Sequence, residues 1–212
     1  MTSKINFKRN VLLLGQKAML AVIAMLIVAS VNAQEQKLPN NFTKKEIENF
    51  QGNKFDWKVA TDVKPVIKKG QYLFKGKRPT FSPQPVSIVS YATLPFSPQS
   101  DFRITVNLTV AELTGHSVFQ ILLNSGSVVF AVTEKDWAVV VNNPACEGLR
   151  RTLKGDNVSL SVQKEGTKLH FSYNGTLLCS TEAEIKSSDI ILSLGSIVYS
   201  AEIKINEVIV EQ

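Results

Sequence analysis

Cysteine and histidine are scarce in this chain: two of each in 212 residues. Cys146 and Cys179 lie far apart, and no His-x-x-x-His or closely spaced cysteine pair occurs, so the ligand spacing of a zinc site is missing. His116 follows Gly115 and His170 stands between Leu169 and Phe171. Neither accompanies a Gly-x-Ser-x-Gly turn, which leaves nucleophilic hydrolysis without its base and elbow. His170 falls on the polar parity of its segment and reads as a surface residue. No Asp-rich loop suggests calcium, and nothing points to a cofactor or a metal. Long helical periodicity and internal repeats are also missing. The longest apolar run, residues 18–29, has 12 residues against the ~20 a membrane-spanning helix needs.

That short run has a different meaning. Lys4, Lys8, Arg9 and Lys17 precede or border it, with no acidic residue before it, and Val31-Asn32-Ala33 follows with small residues at the cleavage positions. Residues 1–33 are expected to be a secretory signal peptide, residues 34–49 a polar linker with a short helical turn near its end, and residues 50–212 one β-sandwich domain. The protein is therefore expected to be exported, to the periplasm, cell surface or exterior, with no membrane span after cleavage. Without residues 1–33 the balance falls from +6 to 20 basic against 18 acidic residues, which removes most of the case for nucleic acid. The local cluster of Lys64, Lys68, Lys69, Lys75, Lys77 and Arg78 suits a guarded strand edge about as well as an anionic partner.

What the chain does have is alternation. Phe102, Ile104, Val106, Leu108 and Val110 alternate with Arg103, Thr105, Asn107 and Thr109, one buried face and one wet. Val158, Leu160 and Val162 alternate with serines and Gln163. After Lys164-Glu165-Gly166 come Leu169, Phe171 and Tyr173, closed by Asn174-Gly175, a pair suited to a tight hairpin turn. In the last segment Ile203 and Ile205 share one parity while Val208 and Val210 share the other, so a β-bulge is expected at Asn206-Glu207. Residues 117–123, 127–133 and 137–141 are apolar on both parities, as in mid-sheet strands or strands with a covered outer face. Short strands at this spacing mean an all-β, antiparallel two-sheet sandwich.

The order of these pieces carries a resemblance. An aromatic segment ends at Trp57 and a strand–turn–strand unit surrounds Gly70. Asp101-Phe102 opens a long strand, and the hairpin of residues 158–175 precedes a closing strand. This resembles the concanavalin A-like lectin and glucanase jelly roll, including laminin-G-like domains; Asn124-Ser125-Gly126 is similar to an element of the 3-keto-disaccharide hydrolase-like domains. The resemblance implies a jelly-roll fold and a carbohydrate-related role. The laminarinase-type glycosidases of this fold carry Glu-x-Asp-x-x-Glu on one strand, and no such pattern occurs here.

The leading expectation is thus an exported, non-catalytic carbohydrate-binding protein with a glycan partner. The alternatives are a glycoside hydrolase-like enzyme acting on a poly- or disaccharide, and a structural or adhesive envelope module binding protein. Trp137 begins a strand beside a turn, and Asn142, Asn143, Glu147, Arg150 and Arg151 follow in the adjoining segment. Trp137, Asn142, Glu147, Arg150 and Arg151 are the candidate glycan ligands: a ring for a sugar C–H face and polar groups for its hydroxyls. The competing reading places Trp137 in the core, where Trp57 also belongs. Cys146 and Cys179 meet an oxidising compartment and are the candidate disulfide, contributing about 3 kcal/mol if unstrained. Cys179, in an apolar strand, is equally compatible with a buried thiol.

Overall fold

The computed structural model describes residues 41–79, 85–114, 117–124, 128–133, 136–141, 150–152, 156–197 and 199–212, all within one compact unit, Pro39–Gln212. Its strands, in chain order, are β1 (Lys45–Glu48), β2 (Lys58–Val59), β3 (Val66–Lys68), β4 (Gln71–Lys77), β5 (Val86–Thr93), β6 (Phe102–Leu113), β7 (Val118–Leu123) and β8 (Val128–Val132). There follow β9 (Asp136–Val141), β10 (Arg150–Thr152), β11 (Asn157–Glu165), β12 (Lys168–Tyr173), β13 (Thr176–Glu182), β14 (Asp189–Ile197) and β15 (Ser200–Glu211). All pairings among them are antiparallel. No helix among the described residues is long and apolar enough to cross a membrane.

Two sheets result. The first runs β13-β12-β11-β6-β15-β4-β3, with β1 also joined to β15; the second runs β10-β9-β8-β7-β14-β5-β2. They meet through the apolar parity of each strand. The ring of Phe74 (β4) meets that of Phe119 (β7) edge-on at 5.9 Å, and Phe130 (β8) meets Phe171 (β12) at 6.1 Å. Each phenylalanine buried this way contributes roughly 1.5–3 kcal/mol. Tyr72 carries a polar handle between them, its hydroxyl 2.7 Å from Ser90 Oγ; burial pushes the phenol pKa up.

The local signals read from the sequence map onto this frame. Asn174 and Gly175 take φ of 48° and 78°, the left-handed pair that a two-residue hairpin turn requires. The register of β15 against β6 shifts between Ile205 and Glu207, which is the bulge expected there. Trp57 is buried among Phe50 and Tyr72.

Two expectations are overturned. The segment preceding Phe50 holds no helical turn: Lys45–Glu48 is a strand, paired with Val208–Glu211 at the end of β15. Its polar look hides a purpose, because the buried carboxyl of Glu48 accepts the backbone N–H groups of Phe50 (2.9 Å) and Phe55 (3.0 Å), satisfying the turn that places the aromatics. His170 is not a surface residue either. It is 8% exposed, with Nδ1 2.7 Å from Ser180 Oγ and Nε2 3.5 Å from Glu165.

Candidate functional site

Directly opposed residues of an antiparallel ladder lie on the same side of the sheet, so register sorts the second sheet into rows. One row is Val140, Val129, Leu122, Ile191, Tyr91 and Lys58, and the next is Arg150, Ala138, Ala131, Gln120, Ser193 and Val89. Val129, Leu122, Ile191, Tyr91 and Lys58 of the first row, and Gln120, Ser193 and Val89 of the second, belong to the parity turned away from the core. Leu122, Val129, Gln120, Ile191 and Ser193 are half-buried there, and Tyr91 is 42% exposed. This open face is a floor of aliphatic side chains with one exposed ring and a few amide and hydroxyl groups. The apolar character on both parities noted in residues 117–133 is the sequence trace of it.

Among the described residues of β5, β7, β8 and β14, Asp189 is the one acid on this face. Its carboxylate accepts hydrogen bonds from Thr93 Oγ1 (2.7 Å) and Ser187 Oγ (2.8 Å), which hold its pKa below the ordinary carboxylate value. Neither of the two rows contains an acid.

The residues singled out from the sequence divide. Arg150 is a register partner of Ala138, at the end of the Gln120 row. Arg151 and Trp137 pair with each other in the row that continues through Val132, Phe119, Leu194 and Ile88, all fully buried. The ladder thus sets Arg150 in a different row from Arg151 and Trp137. Asn142, Glu147 and Cys146 lie outside the described residues. Cys179 is the register partner of Phe171 and packs half-buried against the core. Tyr91, Gln120 and Ser193 were missed in the sequence because each stands on a different strand; only the register brings them together.

No protein-family model and no curated protein matches the chain. Solved structures do. The Bacillus licheniformis β-glucanase superposes with a TM-score of 0.59 at 12% identity, covering 79% of this chain and 98% of its own. The laminarinase catalytic domain from Thermotoga maritima gives 0.59 at 9% identity, over 81% and 98%. The CBM2 module of the evolved Dit protein of Lactobacillus casei phage J-1 gives 0.56 at 12%, over 79% and 96%. The chain has the concanavalin A-like jelly-roll fold that such glucanases and lectin-like modules share. At these identities the likeness concerns the fold alone.

Proposed function

We propose that this protein is an exported carbohydrate-binding β-sandwich without catalytic activity, which holds its glycan on the open face of the second sheet. The observation that carries this reading is the composition of that face: Tyr91, Gln120 and Ser193 on an aliphatic floor, with Asp189 the one acid among the described residues of β5, β7, β8 and β14. A pyranose presents an apolar C–H face and a rim of hydroxyls. The ring of Tyr91 and the floor suit the first, and Gln120, Ser193 and Arg150 suit the second.

Glycoside hydrolysis asks for more. Two carboxyl groups about 5–9.5 Å apart must share the work, one of them kept protonated as the acid. Asp189, held in its ionised form by two hydroxyls, is the wrong kind of group for that role. Trp137, Asn142, Glu147 and Arg151 remain in the proposal as contributions from the edge next to Arg150. In the same reading residues 1–33 are the secretory signal, residues 34–49 lead into the domain and contribute β1 to it, and residues 50–212 bind.

Native affinity electrophoresis through gels holding a panel of polysaccharides tests this. Retardation by one polymer, whose chain length is unchanged afterwards, is the expected result. Shortening of the polymer would replace binding by hydrolysis. Free migration on every gel would sink the sugar reading and turn attention to a protein partner for the aliphatic face.

A further inference from the structure

The outer face of the first sheet contains a cluster with a different chemistry. Glu202 (β15) and Glu112 (β6) are register partners, two like charges directly opposed, an arrangement that costs stability. For Glu202 the cost is met: Lys75 binds one carboxylate oxygen and Lys204 the other, at 2.5 and 3.3 Å. Glu112 accepts from the hydroxyl of Ser200 and feels Lys75 through space, with no direct ion pair among the described residues. Lys77, the register partner of Ser200, is exposed and has no ion-pair partner among the described residues.

Lys75, Lys77, Glu112 and Ser200 line a cavity of about 510 Å³ together with Gly76 and Ala201. Next along the chain from Lys77 and Ser200, the backbone N–H of Arg78 donates to the carbonyl of Tyr199 (3.1 Å), and Tyr199 is 65% exposed. A large exposed ring and an opposed carboxylate pair do nothing for the fold, and departures from local stability of this kind concentrate at working surfaces. The cavity lining itself carries Lys75 and Lys77 against Glu112, so the local field favours an anion.

We propose that this cavity is a second saccharide site, separate from the second-sheet face and built for a glycan that bears carboxylate groups. Lys77 and Arg78 face the ligand carboxylate, Glu112 accepts from neighbouring sugar hydroxyls, and the Tyr199 ring receives an apolar sugar face. Lys75 and Lys204 are positioning residues here, since they hold Glu202 away from competing for the ligand.

Isothermal titration of the protein with trigalacturonate, and with uncharged galactotriose as control, tests the proposal. Trigalacturonate is expected to bind at least tenfold more tightly than galactotriose, and more weakly as ionic strength rises. Lys77→Ala and Tyr199→Ala, both exposed, are each expected to weaken trigalacturonate at least fivefold with the melting temperature unchanged, and Tyr91→Ala to leave it unaltered. Absence of trigalacturonate binding would overturn the proposal. So would equal affinity for the neutral sugar, indifference to both Lys77→Ala and Tyr199→Ala, or loss of binding on Tyr91→Ala. Each of these outcomes leaves the electrophoresis result for the second sheet to stand or fall separately.

Discussion

Gly76 and Ile197 touch across the sandwich: a Cβ built on Gly76 would stand 2.6 Å from Ile197 Cδ1, and 3.3 Å from Ile88 Cδ1. Gly76 occupies a core-facing position of β4, and there is no room there for a methyl group. Gly76→Ala is expected to lower stability by about 1–3 kcal/mol through overpacking. Pairing it with Ile197→Val, which removes the crowding methyl, is expected to recover a substantial part of the loss. Urea titration of the three variants checks this; equal stability of Gly76→Ala and the parent would show that the sheets yield freely.

The Glu48 carboxyl supports two backbone donors at once, so its removal leaves both unsatisfied in a buried turn. Glu48→Ala is expected to cost about 3 kcal/mol, given 1–3 kcal/mol for each stranded donor and partial rescue by water. Glu48→Gln keeps one acceptor oxygen and is expected to cost clearly less. A thermal melt that ranks the two equally would mean that the turn does not depend on these bonds.

Glu202 supplies a pH signature. The hydrogen bond from Lys75, ahead of that from Lys204, holds its carboxyl below the ordinary value of 4.5. A depressed carboxylate contributes stability that is present above that ordinary value and is lost as pH falls through the folded value. Lys75 is shifted upward by the same partner, so its share is lost only on the alkaline side, above its ordinary 10.5. Glu202→Gln is therefore expected to lower stability modestly at neutral pH and to leave it unchanged well below about pH 4.5, so that the acid limb of the profile is flatter than the parent's. Melting temperatures between about pH 3 and 7 decide it, an unaltered acid limb being the contrary result.

Tyr91→Ala should reduce retardation on the binding polysaccharide without lowering the melting temperature, because the ring is already 42% exposed. Trp137→Ala in the same gels separates the two readings of that residue. Lost retardation with an unchanged melt assigns it to the glycan, and a lowered melt assigns it to the core.

The pairing of Cys146 with Cys179 is open to a direct count. Thiol titration of the protein, purified under oxidising conditions and placed in denaturant, is expected to find no reactive thiol before reduction and two after it. Two thiols before reduction would establish Cys179 as a buried thiol.

The strands that pack one face on the core were plain in the sequence, since β6, β11 and β12 repeat every second residue, and so were the Asn174-Gly175 turn and the bulge near Glu207. These are local features, set by neighbouring residues. β1 was hidden because its pairing partner lies at the far end of the chain and its inward position carries a glutamate rather than an aliphatic residue. His170 was misjudged for a related reason: alternation assigns a parity, and parity does not say whether a given stretch of the outer face is covered. The candidate binding face was the least legible part. Tyr91, Gln120 and Ser193 come from β5, β7 and β14, and nothing within any one of those strands announces the other two.

The pairing of β1 with β15 also bears on how the polypeptide could be rewired. The backbone N–H of Lys44 donates to the carbonyl of Gln212 at 2.8 Å, and the N–H of Gln212 returns the bond to Lys44 at 2.9 Å. A short peptide bridge from position 212 to position 44 would close the domain into a ring with no strand disturbed. The ring could then be reopened at the Gly166 turn, between β11 and β12, to give a circular permutant with the same sheets in a new chain order.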